Sequence, residues 1–110
     1  MSSKTEIANR PRIEPKINIP EPPSYRVIYV NDETTTQEFV VETLKLIFNY
    51  DERAASALTM QVHEEGSAVV AVLPHEVAEQ KGIEVTMLAR NNGFPLQVKI
   101  EQDKWPIKNT

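Results

Sequence analysis

The chain has 110 residues, 40% of them hydrophobic, which suits one modest core and one folded unit. Twelve basic against sixteen acidic residues give a formal charge of -4 at pH 7, the wrong sign for a module whose affinity rests on neutralising phosphates, so the balance argues against nucleic acid as a ligand. There is no cysteine, which removes disulfides and thiolate metal sites, and no apolar run reaches the roughly 18 residues of a membrane span or forms the core of a secretory signal.

Residues 1–23 hold five of the eight prolines, at 11, 15, 20, 22 and 23, with charges and no apolar period, and are predicted to be a disordered tail. Tyr25 to Val30 (YRVIYV) is β-branched and aromatic and stops at Asn31-Asp32, the pattern of a strand entering a loop. Thr35 and Glu38 have the spacing of a capping box, and Val40, Leu44, Ile47 and Phe48 follow at helical spacing. Asp51 is the next expected cap, Ala54, Ala55, Leu58 and Val62 line a second helix, and Gly66 is placed to end it. Ala68 to Leu73 (AVVAVL) is predicted to be a largely buried strand. Pro74 suits the first position of a third helix that carries Val77, Ala78, Val85 and Leu88 despite Gly82 and ends at Asn92-Gly93. Leu96 to Glu101 (LQVKIE) alternates as a half-buried strand, and the chain is expected to fray from Gln102.

The predicted fold is therefore α+β: a small three-stranded antiparallel sheet packed on one face by three helices in the order β-α-α-β-α-β. The expected organisation is a tail over 1–23, a folded domain over 24–102 and a C-terminal extension over 103–110.

Catalytic chemistry has little to stand on. His63 and His75 match no helical metal-ligand spacing, and no serine occupies a recognisable nucleophile setting. Glu64 and Glu65 beside His63 point in different directions on a helix, so a small metal-dependent hydrolase is the weakest of the readings. Binding uses the same residues better. Asn31, Asp32 and Glu33 lie on one loop at a strand end, and His63 lies near the end of the second helix. If those ends meet, acceptors gather beside the apolar Val40, Val62 and Leu96, which suits a cation carrying a hydrophobic group. A peptide's free N-terminus is such a ligand: its ammonium has three donors, and burying a large first side chain contributes about 1.5 to 3 kcal/mol. Ordinary turn chemistry at Asn31 and Asp32, capping at Thr35 and a dipole interaction at His63 explain the same residues without any ligand.

Four segments in order, PPSYRVIYVNDETTTQEFVVETL, LTMQVHEEG, HEVAEQK and FPLQVKIE, resemble those of the ClpS adaptors, which deliver N-degron substrates to the AAA+ unfoldase of a Clp protease. The resemblance runs from about Pro22 to Glu101 and implies the same α+β fold. It implies that Asn31, Asp32, Glu33 and His63 bind the substrate's α-amine and that Thr35, Gln37, Val40, Thr59, Val62 and Leu96 line a hydrophobic pocket. It implies too that Glu76 and Lys81 dock on the N-terminal domain of a ClpA/ClpC-type unfoldase, and that the tail is engaged during transfer. Gln37 and Thr59 stand where family members often carry methionine, and Glu33 where many have aspartate. The implied protein is a non-enzymatic monomer without cofactor or metal that recognises a bulky hydrophobic first residue, in the bacterial cytoplasm or plastid stroma. The alternative is a modulator that docks on the unfoldase with altered or lost recognition of the N-terminal residue.

Overall fold

The computed structural model describes residues 22–103, so the tail expected over 1–23, except its last two residues, and the C-terminal extension beyond Asp103 lie outside the described residues. Six elements follow in the expected order: β1 (Ser24–Val30), α1 (Gln37–Phe48), α2 (Glu52–Glu65), β2 (Ser67–Pro74), α3 (His75–Asn91) and β3 (Gln97–Gln102). The sheet is antiparallel with β1 in the middle, in the order β2-β1-β3. Val27 and Tyr29 of β1, Leu44 of α1, Ala55 of α2 and Ala78, Val85 and Ala89 of α3 are all fully buried between the sheet and the helices.

The sequence reading of β2 needs correction. AVVAVL is not a buried strand throughout, because only one face of the sheet is covered: Ala68 and Val70 face the core, whereas Val69 and Val72 are exposed. The register with β1 slips between Val27 and Ile28, which leaves Val70 as an extra residue. Such a bulge shifts the phase of the strand, and accordingly Ala71 and Leu73 become the half-buried positions beyond it. The Val70 carbonyl accepts a hydrogen bond from the Tyr50 hydroxyl, which ties the connection between α1 and α2 to the bulge.

Two helix starts also differ from expectation. The cap of α1 is Thr36, whose hydroxyl accepts from the Phe39 amide at 3.1 Å, and not Thr35. Glu38 is then at the second helical position and cannot complete a capping box, because that pairing needs the third. Thr36→Ala is expected to lower stability by about 1 kcal/mol, measured by urea unfolding. Thr35→Ala, with no role in the cap, should cost less in the same experiment. Pro74 ends β2 instead of opening α3, with its ψ of 153° still extended. Asp51 caps α2 as expected, accepting from the Ala54 amide at 2.9 Å.

Gly66 ends α2 at φ 93°, a left-handed conformation that an L side chain resists. That turn also anchors the loop after β1, since the Gly66 carbonyl accepts the Asn31 amide at 2.9 Å. The end of β1 is thereby joined to the end of α2. Asp103, where fraying was expected, donates its amide to the Ser24 carbonyl at 2.8 Å and continues the β3 pairing by one bond.

Candidate functional site

Because β1 and α2 end side by side, Asn31, Asp32 and Glu33 come next to His63. They form one end of a cavity of about 310 Å³ whose walls also include Thr35, Gln37, Val40, Thr59, Val62 and Leu96. Every residue expected at the amine site or in the pocket thus borders the same space. Val30 is a lining residue that sequence reasoning missed, although the strand led directly into the loop and made it the nearest apolar neighbour. Val40, Val62, Thr59 and Leu96 are almost fully buried, whereas Asn31, Glu33, Gln37 and His63 are exposed at the mouth. The cavity is mainly apolar within, with Thr59 as its buried polar residue, and polar at its rim, the usual construction of a small-ligand site.

Asp32 organises the loop. One carboxylate oxygen accepts the amides of Thr34 at 2.8 Å and Thr35 at 2.7 Å, and the other accepts the Thr35 hydroxyl at 2.8 Å. This is an Asx-type turn, and it explains why Thr35 was unavailable as a helix cap. Burial on its own would raise the Asp32 pKa. The bonds from Thr35 and Thr34, with the positive charge of Arg90, outweigh it and hold the carboxyl below the usual range. Asp32 therefore presents a fixed negative charge beside Asn31 and Glu33.

Arg90 is the second residue that the sequence reading left out. Its guanidinium donates to the carbonyls of Phe94 at 3.0 Å and Leu96 at 2.9 Å, so the loop carrying the Leu96 wall is held from the last turn of α3. The signal was a basic residue at a helix C-terminus, a place where cations bind free carbonyls. Phe94 in turn packs on Phe39 with ring centroids 4.9 Å apart, fastening that loop to the start of α1.

Glu76 and Lys81 lie elsewhere. Glu76 is exposed in the first turn of α3. Lys81 is half-buried, and its ammonium donates to the Ile47 carbonyl at 3.0 Å, so it satisfies the end of α1. The start of α3 lies beside the start of β1, because Ser24 pairs with Pro74, while the cavity opens at the other end of that strand. The seven residues of β1 put roughly 20 Å between the two places.

His63, Glu64 and Glu65 are exposed at the end of α2, and among the described residues no three His, Asp or Glu side chains gather as metal ligands. His75 Nε2 lies 3.2 Å from a Glu79 carboxylate oxygen, and its ring packs on Tyr25 with centroids 4.3 Å apart. Among the described residues, no helix is long and apolar enough to cross a membrane.

Comparison with known proteins agrees with this architecture. Residues 20–99 match the family model described as "ATP-dependent Clp protease adaptor protein ClpS". The chain is 40% identical over 90 residues to the Nautilia profundicola "ATP-dependent Clp protease adapter protein ClpS", covering 82% of this chain and 93% of that protein. It is 43% identical over 82 residues to the Treponema denticola protein of the same name, covering 74% of this chain and 81% of that one. Among solved structures, Agrobacterium tumefaciens ClpS2 bound to L-phenylalaninamide is similar with a TM-score of 0.74 and 38% identity, over 76% of this chain and all of that one. These relatives are named as adaptors and not as enzymes. With the family model spanning most of its length and relatives about 40% identical over most of both chains, the chain belongs to the ClpS family of Clp protease adaptors.

Proposed function

We propose that this adaptor recognises substrates by a free N-terminus bearing a bulky hydrophobic residue and delivers them to a Clp AAA+ unfoldase. The observation that carries the reading is the convergence of Asn31, Asp32, Glu33 and His63 on one end of a cavity whose body is Val40, Val62 and Leu96. An α-ammonium has three N–H donors and no acceptor, so it needs a ring of carbonyl, carboxylate and neutral imidazole acceptors at the mouth. The attached side chain needs the dry interior behind it. The ligand of the similar Agrobacterium structure, L-phenylalaninamide, combines a free α-amine with an aromatic side chain.

In this mechanism Asp32 and Glu33 attract the ammonium, Asn31 and His63 accept its hydrogens, and the apolar walls select the side chain. Unfoldase docking through Glu76 and the α3 surface leaves the cavity accessible, since the two lie at opposite ends of β1. Lys81 contributes there through its stem and charge while its ammonium remains on Ile47. Residues 1–23 are the segment the unfoldase engages during transfer, in the cytoplasm or stroma where such unfoldases work. Polar Gln37 and Thr59 change which first residues fit, but the apolar walls are intact, so we favour altered selection over loss of recognition.

The test is fluorescence anisotropy with labelled peptides that begin Leu, Phe, Tyr, Trp, Ile or Arg, each with a free and an acetylated N-terminus. Free peptides with a bulky hydrophobic first residue are expected to bind, and acetylation to abolish binding by removing the charge and two donors. Equal binding of the free and acetylated forms would overturn amine recognition.

A further inference from the structure

The polarity of the cavity wall carries the reading one step further, to the kind of side chain it selects. We infer that the pocket prefers an aromatic first residue carrying a hydrogen-bond donor, a tyrosine phenol or a tryptophan indole, over phenylalanine or leucine, with the Thr59 hydroxyl oxygen as acceptor. The inference rests on the proposed amine recognition.

Thr59 is 3% exposed and borders the cavity. A threonine hydroxyl has one hydrogen and two lone pairs. The hydrogen of Thr59 is committed to the Ala55 carbonyl at 2.8 Å, so what Thr59 has left for an occupant is a lone pair. Thr35, the other cavity hydroxyl, is in the same state, since its hydrogen is given to Asp32 at 2.8 Å. Both buried or half-buried hydroxyls of the lining are therefore acceptors toward the cavity. An occupant whose tip donates is matched, one whose tip is apolar leaves the lone pair unpaired, and one whose tip is only an acceptor is opposed.

Position distinguishes the two hydroxyls. Thr35 is bonded to Asp32 and belongs to the amine end. Thr59 lies four residues before His63 on α2, on the same face and about 6 Å along the helix axis from it. His63 is exposed at the mouth and Thr59 is buried, so the step from one to the other runs into the cavity. An aromatic side chain with a polar tip covers that step, whereas a leucine stops short. Val40, Val62 and Leu96 supply contact area for any of these side chains and so do not by themselves discriminate among them.

The experiment uses the full chain and peptides identical except for the first residue: Phe, Tyr, O-methyltyrosine and Trp. For the unaltered protein, Tyr is expected to bind about 3- to 10-fold tighter than Phe, the worth of one net hydrogen bond, and O-methyltyrosine to lose that advantage. In Thr59→Val, which keeps the shape and removes the hydroxyl, the Tyr-to-Phe ratio should fall to about one. A ratio that survives in Thr59→Val, or O-methyltyrosine binding as well as Tyr, overturns the assignment of Thr59. The O-methyltyrosine arm needs no variant to fold. If the Phe and Tyr peptides bind equally to the unaltered protein, only the donor preference fails. If no peptide binds and acetylation makes no difference, the proposed function itself fails.

Discussion

Asp32→Ala is expected to weaken binding of a peptide with a free hydrophobic N-terminus by about 30- to 150-fold, or roughly 2 to 3 kcal/mol, which is the scale of a hydrogen-bonded charge. The residue acts twice. In the proposed mechanism its charge attracts the ammonium, and its three bonds to Thr34 and Thr35 hold the loop that carries Asn31 and Glu33. Asp32→Asn separates the contributions: one amide oxygen can still accept both backbone N–H groups, but the charge is gone. Anisotropy titrations should place Asn between wild type and Ala. If Asn binds like wild type, Asp32 is only a loop residue, and if Ala also does, it has no part in recognition.

The same carboxylate sets an acid limit. Its pKa is held below the ordinary value of an aspartate, about 3.9, so the ionised form stabilises the loop above that value. This stabilisation is lost as the pH falls through the lowered pKa of the folded protein. The amide chemical shifts of Thr34 and Thr35 should therefore hold at pH 4 and move only in stronger acid. A transition centred above pH 4 would contradict the lowered pKa.

Thr43→Val is expected to lower stability by about 1 to 3 kcal/mol, the cost of leaving a buried donor without a partner. Tyr29 and Thr43 are both fully buried and their hydroxyl oxygens are 2.8 Å apart. Thr43 gives its hydrogen to the Val40 carbonyl at 2.8 Å, so the phenol is the donor in the Tyr29–Thr43 bond. Valine at 43 strands that phenol inside the core. Tyr29→Phe should cost less, because Thr43 keeps its bond to Val40, and Tyr29→Phe with Thr43→Val should be close to Tyr29→Phe alone. Urea unfolding of the three variants measures the asymmetry, and equal costs for the two single changes would overturn the donor assignment.

The buried phenol also has a pH signature. Burial pushes the Tyr29 pKa far above its ordinary value. Below the ordinary pKa of about 10 the stabilisation is complete. Above it the unfolded chain releases the proton first, so stability falls as the pH rises further. Tyr29→Phe should flatten this alkaline loss. Because Val40 both accepts from Thr43 and lines the cavity, the network adjoins the cavity wall.

Sequence alone determined the element order and the sheet with its helical cover, because those depend on local chemistry. β-branched runs make strands, and Asp51 and Gly66 punctuate α2. For the candidate site, local chemistry pointed to Asn31, Asp32, Glu33, Val40, Val62, His63 and Leu96, whereas Thr35, Gln37 and Thr59 entered only through the resemblance to the ClpS adaptors, and sequence reasoning missed Val30 and Arg90. Its errors were local too: three consecutive threonines offer three caps, and only the Asp32 carboxylate, by claiming Thr35, left Thr36 to start α1. The bulge at Val70 was hidden for a related reason, since a uniformly apolar run has no alternation from which to read a phase shift. Tertiary structure decided what depends on residues far apart in the chain. The Asn31–Gly66 bond sets the loop against His63, Arg90 holds the Leu96 wall from another helix, and Lys81 is turned from a free surface charge into a partner of Ile47. A residue's type states which bonds it is able to make; which one it makes, and so whether its hydroxyl meets the ligand as donor or acceptor, is settled only by the neighbour that folding brings to it.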